Sequence, residues 1–397
     1  MRSQIQIQER TFFQRLDTNF LFVIFALNII GLINLYSATH GVTGTFNTRL
    51  FWQQFIWFSG CCILYFYLTF ADYQFYQQIA WLILGWVIFF SVTLFDYEFW
   101  RRFCWVFYGL NIVFLIAVMG FGTSAYGAQR WLDLGFFRYQ PSETVKVAVV
   151  LVLASYLSKK DVVRGLGYRD LVVPAIITGL PFILTVKQPD LGTALLIAAI
   201  SLSMIVFVKV KRSILILASI ITLFATPIAW NFGLKDYQRN RVLTFLSPGR
   251  DPRGTGYNSI QSKIAVGSGR ILGKGFRKGT QSQLEFIPER HSDFIYSVLS
   301  EEHGFIGSTI TLSLFVILYL LATNIAAHAK DKFGALIVVG ILSTIFWHVF
   351  INIGMVIGLL PIVGVPLPLL SYGGSSMLTT MFGLGLISAV AYRRYLF

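Results

Sequence analysis

The sequence predicts an all-α membrane protein, a polytopic bundle of about ten transmembrane helices with one large loop outside the membrane. Of its 397 residues, 55% are hydrophobic and only 13% are charged, whereas a typical soluble domain has about 25% charged residues. The charges gather in clusters, and apolar runs of roughly 17–25 residues lie between them, the length that crosses a hydrocarbon core of about 30 Å. The alternating pattern of a transmembrane β-barrel is absent.

Eleven apolar runs are candidate spans, and they occur throughout the chain. They lie near residues 18–38, 50–70, 78–96, 104–122, 144–158, 171–187, 190–209, 213–233, 295–325, 333–360 and 370–392. Eleven full spans would place the N-terminus outside, whereas Arg2, Arg10 and Arg15 favour the cytoplasmic side. Either one run between residues 50 and 96 does not cross fully, or the N-terminus departs from the positive-inside rule.

The distribution of Lys and Arg orients the later spans. Four basic segments are predicted to be cytoplasmic and agree through successive pairs of spans: KKDVVRGLGYR at 159–169, KVKR at 209–212, HAKDK at 328–332 and the C-terminal RRYLF. Residues 123–143 and about 234–293 then lie on the opposite side. The net charge of +14 therefore reflects cytoplasmic anchors, and we expect no nucleic acid partner because no basic recognition module occurs.

The cysteines and the N-terminus give no sign of secretion. Cys61, Cys62 and Cys104 lie in or beside apolar runs and form neither a disulfide framework nor a metal-binding spacing. The polar stretch 1–17 precedes the first run without a convincing cleavage pattern, which favours an uncleaved first helix. We expect a single domain over residues 1–397.

The stretch from about 234 to 293 is predicted to be the large extracytoplasmic loop. Loops of this length without their own structure are uncommon and are usually functional. Within it, the segment YNSIQSKIAVGSGRILG is amphipathic and predicts a short helix in the membrane interface, with Ile260, Ile264, Ala265 and Ile271 on its apolar side.

The stretch PERHSDFIYS places four ionisable side chains directly before an apolar run: Glu289, Arg290, His291 and Asp293. In one interpretation, Ser292 or Asp293 merely caps the following helix. In the other, Asp293 is an interfacial carboxylate that acts as a general base, while Arg290 and His291 bind anions or tune its pKa. The residues alone leave both interpretations open.

Two shorter stretches also carry ionisable groups at membrane depth, where such groups are costly and mark functional sites. In QPSETVK, Glu143 and Lys146 are three residues apart and share a helix face. They form either an internal ion pair or the polar wall of a substrate cavity. In KQPDLGT, a tight turn is predicted, with Asp190 capping the next helix.

Two further stretches are unusual on the predicted outer side. In DYQRNR, Arg239 and Arg241 belong either to an ordinary solvated loop or to a site that binds phosphate in a bidentate manner. The run NIGMVIGLLPIVGVPLPLLSYGGSS contains Pro361, Pro366 and Pro368, which exclude one straight helix. Broken backbone at membrane depth is tolerated only inside protein or beside a cavity, so this run predicts a buried polar groove.

Together these stretches resemble one protein family. The segments GAQRWLDLG, QPSE, QPDLGT, QSKIAVGSG, GTQSQLEFIPERHSDFIYSVLSEEHGFIG and NIGMVIGLLPIVGVPLPLLSYGGSS are similar, in this order, to the SEDS proteins (shape, elongation, division and sporulation). The resemblance runs from about residue 125 to 392, and TQSQLEFIPERHSDF is more similar to the elongation (RodA) branch than to the division (FtsW) branch. The SEDS fold implies ten spans with both termini inside, which the eleven runs do not match.

The resemblance implies a peptidoglycan glycosyltransferase. Such an enzyme polymerises lipid II into glycan strands at the outer face of the bacterial cytoplasmic (inner) membrane, during cell-wall elongation and rod-shape maintenance. The essential aspartate of the family maps onto Asp293, as the base for the acceptor 4-hydroxyl. The charge of the leaving pyrophosphate would be offset by Arg239, Arg241, Arg290 or Lys146. A divalent cation, Mg²⁺ or Mn²⁺, would assist, and no covalently bound cofactor is implied.

The resemblance also implies partners and a wider set of binding residues. The partners are a class B penicillin-binding protein, which crosslinks the new strand, and other membrane proteins of the elongation complex. The candidate substrate-binding residues are Arg130, Trp131, Gln140, Glu143, Lys146, Gln238, Arg239, Arg241, Lys263, Glu289, Arg290, His291 and Ser371.

Two functions of other classes remain open. Intramembrane ionisable residues with interrupted helices are also typical of a transport pathway, and so of a flippase for the lipid-linked precursor; here these residues are Glu143, Lys146, Lys187 and His348. A non-catalytic scaffold for the penicillin-binding protein would tolerate loss of Asp293.

Overall fold

The computed structural model describes most of the chain from residue 73 onward. The described ranges are 73–125, 128–133, 138–160, 165–233, 236–247, 249, 255–284, 286–287 and 289–393. The predicted spans near 18–38 and 50–70 lie outside these residues, as do Cys61 and Cys62. The chain divides into two compact units, residues 1–77 and 78–397. The candidate site and its surroundings lie in the second unit.

Helices dominate the described residues, which confirms the all-α class. In chain order they are α1 (Tyr73–Leu94), α2 (Tyr97–Phe121), α3 (Pro141–Leu157), α4 (Tyr168–Lys187), α5 (Leu191–Phe207), α6 (Arg212–Ile228), α7 (Asp236–Leu246), α8 (Thr255–Ser268), α9 (Thr280–Gln283), α10 (Ile295–Ala327), α11 (Lys332–Val356) and α12 (Gly374–Arg393). Among them, α2, α4, α10, α11 and α12 are long and apolar enough to cross a membrane, while the apolar parts of α1, α5 and α6 are shorter. The protein is a multi-pass membrane protein.

Helix α3 is the centre of the bundle. From Val145 to Ala154 its side chains are at most 2% exposed, and it packs against α2, α4, α5, α11 and α12. A helix that is apolar all round is typically buried on every side, which explains why the shortest predicted span is the most enclosed. Pro141 occupies its first turn, where a missing N–H costs nothing.

A small sheet precedes α3, and the sequence did not predict it. Strands β1 (Thr123–Ala125), β2 (Ala128–Asp133) and β3 (Arg138–Tyr139) form an antiparallel sheet in the order β1-β2-β3. Its pairs include Leu132 with Tyr139. Strands of two to six residues are too short to show a convincing alternation of apolar and polar residues. The sheet connects α2 to α3 and carries Arg130.

The predicted outer loop contains helices, as its length required. Helix α8 confirms that the amphipathic segment is helical, while its location in the membrane interface stays a prediction. Ala265 is fully buried, whereas Ile260 and Ile264 are 38% and 45% exposed. Ile271 falls beyond the end of α8, so the predicted helix is shorter than the amphipathic pattern suggested. Helices α7 and α9 lie on either side of α8 in the chain.

The backbone is broken in the run that the prolines mark, as predicted. Helix α11 ends at Val356 and α12 begins at Gly374, so the segment 357–373 is irregular. It contains three residues with positive φ: Gly358, Gly364 and Leu369. The predicted span to residue 360 was therefore four residues too long, because the chain turns back at Gly358, before Pro361.

Candidate active site

Asp293 lies immediately before α10, in a turn formed by residues 289–294. The backbone N–H groups of Ser292 and Phe294 both donate to the carbonyl of Glu289, at 3.1 and 3.3 Å. The N-cap of α10 is Phe294, and no side chain bonds to the cap. The interpretation of Ser292 or Asp293 as a helix cap is therefore wrong, and the Asp293 carboxylate does not serve to cap α10.

The surroundings of Asp293 raise the pKa of its carboxyl group to about 6. Burial is the largest cause, because it disfavours the charged form, and the negative charge of Glu289 adds to it. Arg130 and Arg241 act in the opposite direction, and Asp190 raises the pKa slightly. Four charged side chains from four separate segments thus face one carboxylate.

Arg130 reaches the site from β2. Its Nη2 donates to the carbonyl of Pro189 at 2.6 Å, and its Nη1 lies 3.6 Å from Asp190 Oδ1. Asp190 is the N-cap of α5 and accepts a hydrogen bond from the Thr193 N–H at 3.4 Å. The predicted tight turn and cap are confirmed. The structure adds the ion pair with Arg130, which links the β2 strand to this turn.

Arg241 reaches the same region from α7. Its Nη1 lies 3.5 Å from the carbonyl of Val363 in the broken segment, whereas the Nη2 of Arg239 donates to the carbonyl of Asn231 at 2.7 Å. Two residues apart on one helix, these arginines point to different partners. The structure therefore brings Arg241, and not Arg239, towards Asp293; Gln238 is buried beside them.

The broken segment holds the Asp293 turn in place through buried side chains. Asn352 on α11 is fully buried, and its Nδ2 donates to the carbonyl of Asp293 at 2.8 Å and to that of Val365 at 2.7 Å. Gly364 lies so close that a Cβ there would be 3.1 Å from Asp293 Oδ2. Sequence reasoning did not identify Asn352; a lone amide at the end of an apolar run was the available signal.

Ser371 makes a second connection between the same two segments. Its hydroxyl donates to the carbonyl of Ser292 at 2.6 Å and accepts from the Leu367 N–H at 2.7 Å. The Tyr372 N–H donates to the carbonyl of His291 at 2.8 Å. Ser371 is 4% exposed, so its hydroxyl is engaged inside the protein.

The other candidates of the PERHSDF motif lie at the surface of the site. Glu289 accepts a hydrogen bond from the Ser292 hydroxyl at 3.0 Å and lies 3.8 Å from His291 Nε2. The His291 ring contacts Tyr372 edge to face. Arg290 is partly exposed. Lys263 on α8 is exposed, and its side chain runs directly over Gly358.

Glu143 and Lys146 form a separate buried cluster inside the bundle. Lys146 Nζ lies 2.9 Å from Glu143 Oε1 and 2.7 Å from His348 Nε2, and His348 Nδ1 lies 2.7 Å from the Thr344 carbonyl. The predicted internal ion pair is confirmed. The three side chains line a cavity that also includes Pro368 of the broken segment.

Gln140 and Trp131 lie at the junction of the sheet and the bundle. The Gln140 N–H donates to Ser375 Oγ on α12 at 3.2 Å, and its Nε2 donates to Ser142 Oγ at 3.0 Å. Trp131 is partly buried in β2, next to Arg130.

Comparisons with known proteins all identify members of one family. The family model named FTSW_RODA_SPOVE and described as "Cell cycle protein" matches residues 62–396. The peptidoglycan glycosyltransferase MrdB of Escherichia coli (strain K12) is 45% identical over 280 residues, which are 70% of this chain and 75% of MrdB.

Solved structures agree with this result. One solved structure is described as "Structural coordination of polymerization and crosslinking by a peptidoglycan synthase complex". A chain in it is 31% identical to this one with a TM-score of 0.70, and the match covers 81% of this chain and 90% of that chain. The rod shape determining protein RodA of Thermus thermophilus has 25% identity and a TM-score of 0.60, covering 96% and 97%.

Proposed function

The chain belongs to the FtsW/RodA/SpoVE family of cell cycle proteins, and from this premise we propose that it is a peptidoglycan glycosyltransferase with Asp293 as its general base. The relatives named peptidoglycan glycosyltransferase support the activity. The observation that carries the role of Asp293 is its placement: a partly buried carboxylate with a pKa of about 6 that faces both Arg130 and Arg241.

In this proposal, lipid II is both donor and acceptor at the site. The acceptor 4-hydroxyl loses its proton to Asp293 as its oxygen attacks the anomeric carbon of the donor. The new C–O bond forms while the bond from that carbon to the pyrophosphate oxygen breaks. A single inversion converts an α-linked donor to a β-1,4 bond. No second carboxylate is needed, because pyrophosphate is a good leaving group, unlike the sugar alcohol that a glycosidase must protonate.

Two cations beside Asp293 suit the departing pyrophosphate. Arg241 and Arg130 present planar guanidinium groups, which match phosphate oxygens in bidentate fashion. Positive charge at the position where negative charge develops is usually the largest contribution to such catalysis. We assign this role to Arg241 and Arg130 ahead of Arg239, Arg290 and Lys146, because the positive charges of Arg130 and Arg241 act on the Asp293 carboxyl and lower its pKa.

A divalent cation would need the substrate to complete its ligands. Among the described residues, no group of three His, Cys, Asp or Glu side chains is placed to hold a metal ion. Mg²⁺ is commonly bound by one or two carboxylates together with substrate phosphates. Asp293 and Glu289 are the carboxylates that would take part, with the pyrophosphate supplying further oxygens.

The remaining candidate residues divide by position. We assign contacts with the sugar or peptide to residues of the Asp293 turn, of α7 and of α8: Glu289, Arg290, His291, Gln238, Arg239 and Lys263. Ser371 and Gln140 hold backbone in place, so we assign them positioning roles. Trp131 offers a partly buried aromatic ring on the same strand as Arg130, and Glu143 with Lys146 forms a polar cavity wall beneath the broken segment.

The cellular setting follows from the same premise. We infer that the protein lies in the bacterial inner membrane with Asp293 on the extracytoplasmic side, because the basic segments mark the opposite side as cytoplasmic. A class B penicillin-binding protein is the expected partner, together with other elongation proteins. The similar chain in a peptidoglycan synthase complex supports this partnership.

Purified protein supplied with lipid II tests the activity. We expect glycan strands of many disaccharides, resolved by gel electrophoresis, with a further increase when the cognate penicillin-binding protein is added. A parallel assay in liposomes measures transfer of a fluorescent lipid II between leaflets, because the buried Glu143–Lys146–His348 cluster also suits a transport path. Translocation without polymer would contradict the proposal and favour a flippase, whereas neither activity would favour a scaffold.

A further inference from the structure

The turn at residues 270–278, RILGKGFRK, presents apolar and basic side chains together on the surface of the outer loop. Ile271, Leu272 and Phe276 are 66%, 77% and 74% exposed. The basic side chains beside them, Arg270, Arg277 and Lys278, are exposed as well. Large apolar side chains clustered at a surface mark an interaction site. The proposed chemistry uses none of these residues, which we call the basic-apolar turn.

The basic-apolar turn is fixed to α10 through the backbone. Four hydrogen bonds of 2.8–3.1 Å join them: Phe305 N to Arg270 O, Ile306 N to Ile271 O, Lys274 N to Glu301 O, and Gly275 N to Glu302 O. They form where Gly304, with φ of +64°, interrupts the helix. A Cβ on Gly304 would collide with the Gly273 nitrogen. The height of the turn, meaning its position along the membrane normal, is therefore fixed to that of α10.

Helix α10 defines that height relative to the membrane. From Phe305 to Ala327 it has about 23 residues and a length of about 34 Å, which matches a hydrocarbon core of about 30 Å. Lys330 and Lys332 follow its far end, and basic residues mark the cytoplasmic boundary of a span. The interruption at Gly304 then lies at the opposite interface. The basic-apolar turn, bonded to residues 305 and 306, lies at the same level.

The turn also continues the lipid-facing surface of α10. Phe305, Ile310 and Leu314 on this helix are 68%, 56% and 61% exposed, as expected of side chains that face acyl chains. Arg270 and Ile271 are bonded directly to the first exposed residues of that surface. The apolar surface of the helix and that of the turn are thus continuous across the interface.

We propose that the basic-apolar turn is a membrane anchor that binds anionic lipid. Ile271, Leu272 and Phe276 enter the boundary between headgroups and acyl chains, and the three exposed cations contact lipid phosphates. Apolar side chains flanked by Lys and Arg bind anionic interfaces in this manner. Lipid is favoured over a protein partner by the depth of the turn and its continuity with α10. The proposal does not depend on the glycosyltransferase activity.

An environment-sensitive fluorophore tests the depth of the turn in reconstituted protein. Cys61, Cys62 and Cys104 are replaced by alanine, and single cysteines introduced by Leu272→Cys or Phe276→Cys are labelled. In vesicles containing phosphatidylglycerol, we expect a blue-shifted emission that lipids spin-labelled near the headgroup quench more than lipids labelled deep in the chain. Val316→Cys, an exposed position at the midpoint of the span from Phe305 to Ala327, provides the deep reference, and Ser247→Cys in the outer loop provides the exposed one.

The charge component is tested with the variant Arg270→Gln/Arg277→Gln/Lys278→Gln. In the parent protein, the blue shift at position 276 should be larger in phosphatidylglycerol than in phosphatidylcholine vesicles. The three substitutions should remove this difference, whereas Lys160→Gln, a basic residue elsewhere, should leave it unchanged. All labelled and substituted turn positions are exposed, so folding is preserved, and thermal unfolding in detergent verifies this.

Several outcomes would overturn the proposal. One is emission at positions 272 and 276 as red-shifted as at Ser247→Cys in both lipid mixtures. Another is protection that develops only after a penicillin-binding protein is added, since this would identify a protein docking surface. A lipid preference that survives the three substitutions would contradict the role of the cations.

Discussion

At the scale of single residues, the Asp293 carboxylate differs from those of its acidic neighbours, which are engaged in hydrogen bonds or ion pairs. Asp190 caps α5 and pairs with Arg130, and Glu289 accepts from Ser292. Within the described part of the chain, the carboxylate of Asp293 makes no hydrogen bond and no ion pair. A base must be ready to accept a proton at the operating pH, and a pKa of about 6 leaves Asp293 mostly ionised at neutral pH.

The pH dependence of polymerisation should report this carboxylate. With lipid II below saturation, the rate should fall as the pH is lowered through about 6, by roughly tenfold per pH unit below it, because the protonated form cannot act as a base. Glu289→Gln removes a charge that raises the pKa of Asp293, so the acidic limb should move to lower pH. A limb that stays in place or moves upwards in this variant would show that another group titrates.

The free energy of unfolding should also depend on the ionisation of Asp293. Burial raises the pKa of Asp293 from 3.8 to about 6, so ionisation costs folding free energy that builds up between about pH 4 and 6 and persists above it. Asp293→Asn should therefore stabilise the protein at pH 7.5, by about 1–2 kcal/mol since the side chain is partly exposed, and should have little effect near pH 4. Differential scanning fluorimetry in detergent measures this. Destabilisation at pH 7.5 would indicate that the carboxylate is structural.

The sequence identified Asp293, but not the groups around it. Its motif and its position before an apolar run are visible in the sequence. Arg130 and Arg241 are far from it in sequence, and only the fold shows that they face the same point, while Arg239 turns away. The cap interpretation failed because the chain makes one more turn before α10, which moves the cap to Phe294.

At the scale of elements, Glu301 connects the outer loop to α10. It is fully buried and accepts from Lys274 Nζ at 2.7 Å and from the Gln281 N–H at 2.9 Å. Lys274 lies between α8 and α9, and Gln281 belongs to α9. One carboxylate therefore fixes the segment that ends in the Asp293 turn.

Removing this connection should loosen the loop. Glu301→Ala leaves the Gln281 N–H and the Lys274 ammonium without their acceptor, at a cost of about 1–3 kcal/mol. Amide hydrogen exchange over residues 274–284 should accelerate, with less change in Glu301→Gln, which keeps an acceptor. The matched control is Lys160→Ala, whose pair with Asp170 is exposed to solvent and therefore adds little to stability. Equal exchange in all three variants would contradict this role.

Apolar runs predicted the described spanning helices because twenty apolar residues have few alternatives in a bilayer. Their ends were predicted less well, since α11 ends at Val356 rather than at the next proline. The small sheet was missed altogether, because its strands are held by pairing with each other and not by an apolar pattern of their own.

At the scale of the whole unit from residue 78 onward, α3 and its buried charges hold the bundle together. Lys146 is 1% exposed and Glu143 is 5% exposed. Taking one member away leaves the other charge buried and uncompensated, which typically costs about 3–5 kcal/mol. Lys146→Met should lower the melting temperature markedly, and the double variant Glu143→Gln/Lys146→Met should recover most of it. Two variants of equal stability would show that the pair is not coupled.

The fold class and the multi-pass architecture were predictable because composition and run length decide them. The arrangement of the bundle was not, since α3 is buried on nearly every side and its neighbours follow only from packing. The predicted single domain and the two earliest spans involve residues 1–72, outside the described part, and stay predictions.

The most direct measurement is lipid II polymerisation by purified protein, wild type against Asp293→Asn, with and without the cognate class B penicillin-binding protein. Glu98→Gln serves as the control, a neutralised carboxylate at the start of α2, outside the site, whose side chain is 43% exposed. We expect at least about a hundredfold loss of rate for Asp293→Asn, since general base catalysis contributes about 10²–10⁴-fold, with normal accumulation in the membrane and measurable activity in the control. Polymer formation by Asp293→Asn at the wild-type rate would contradict it.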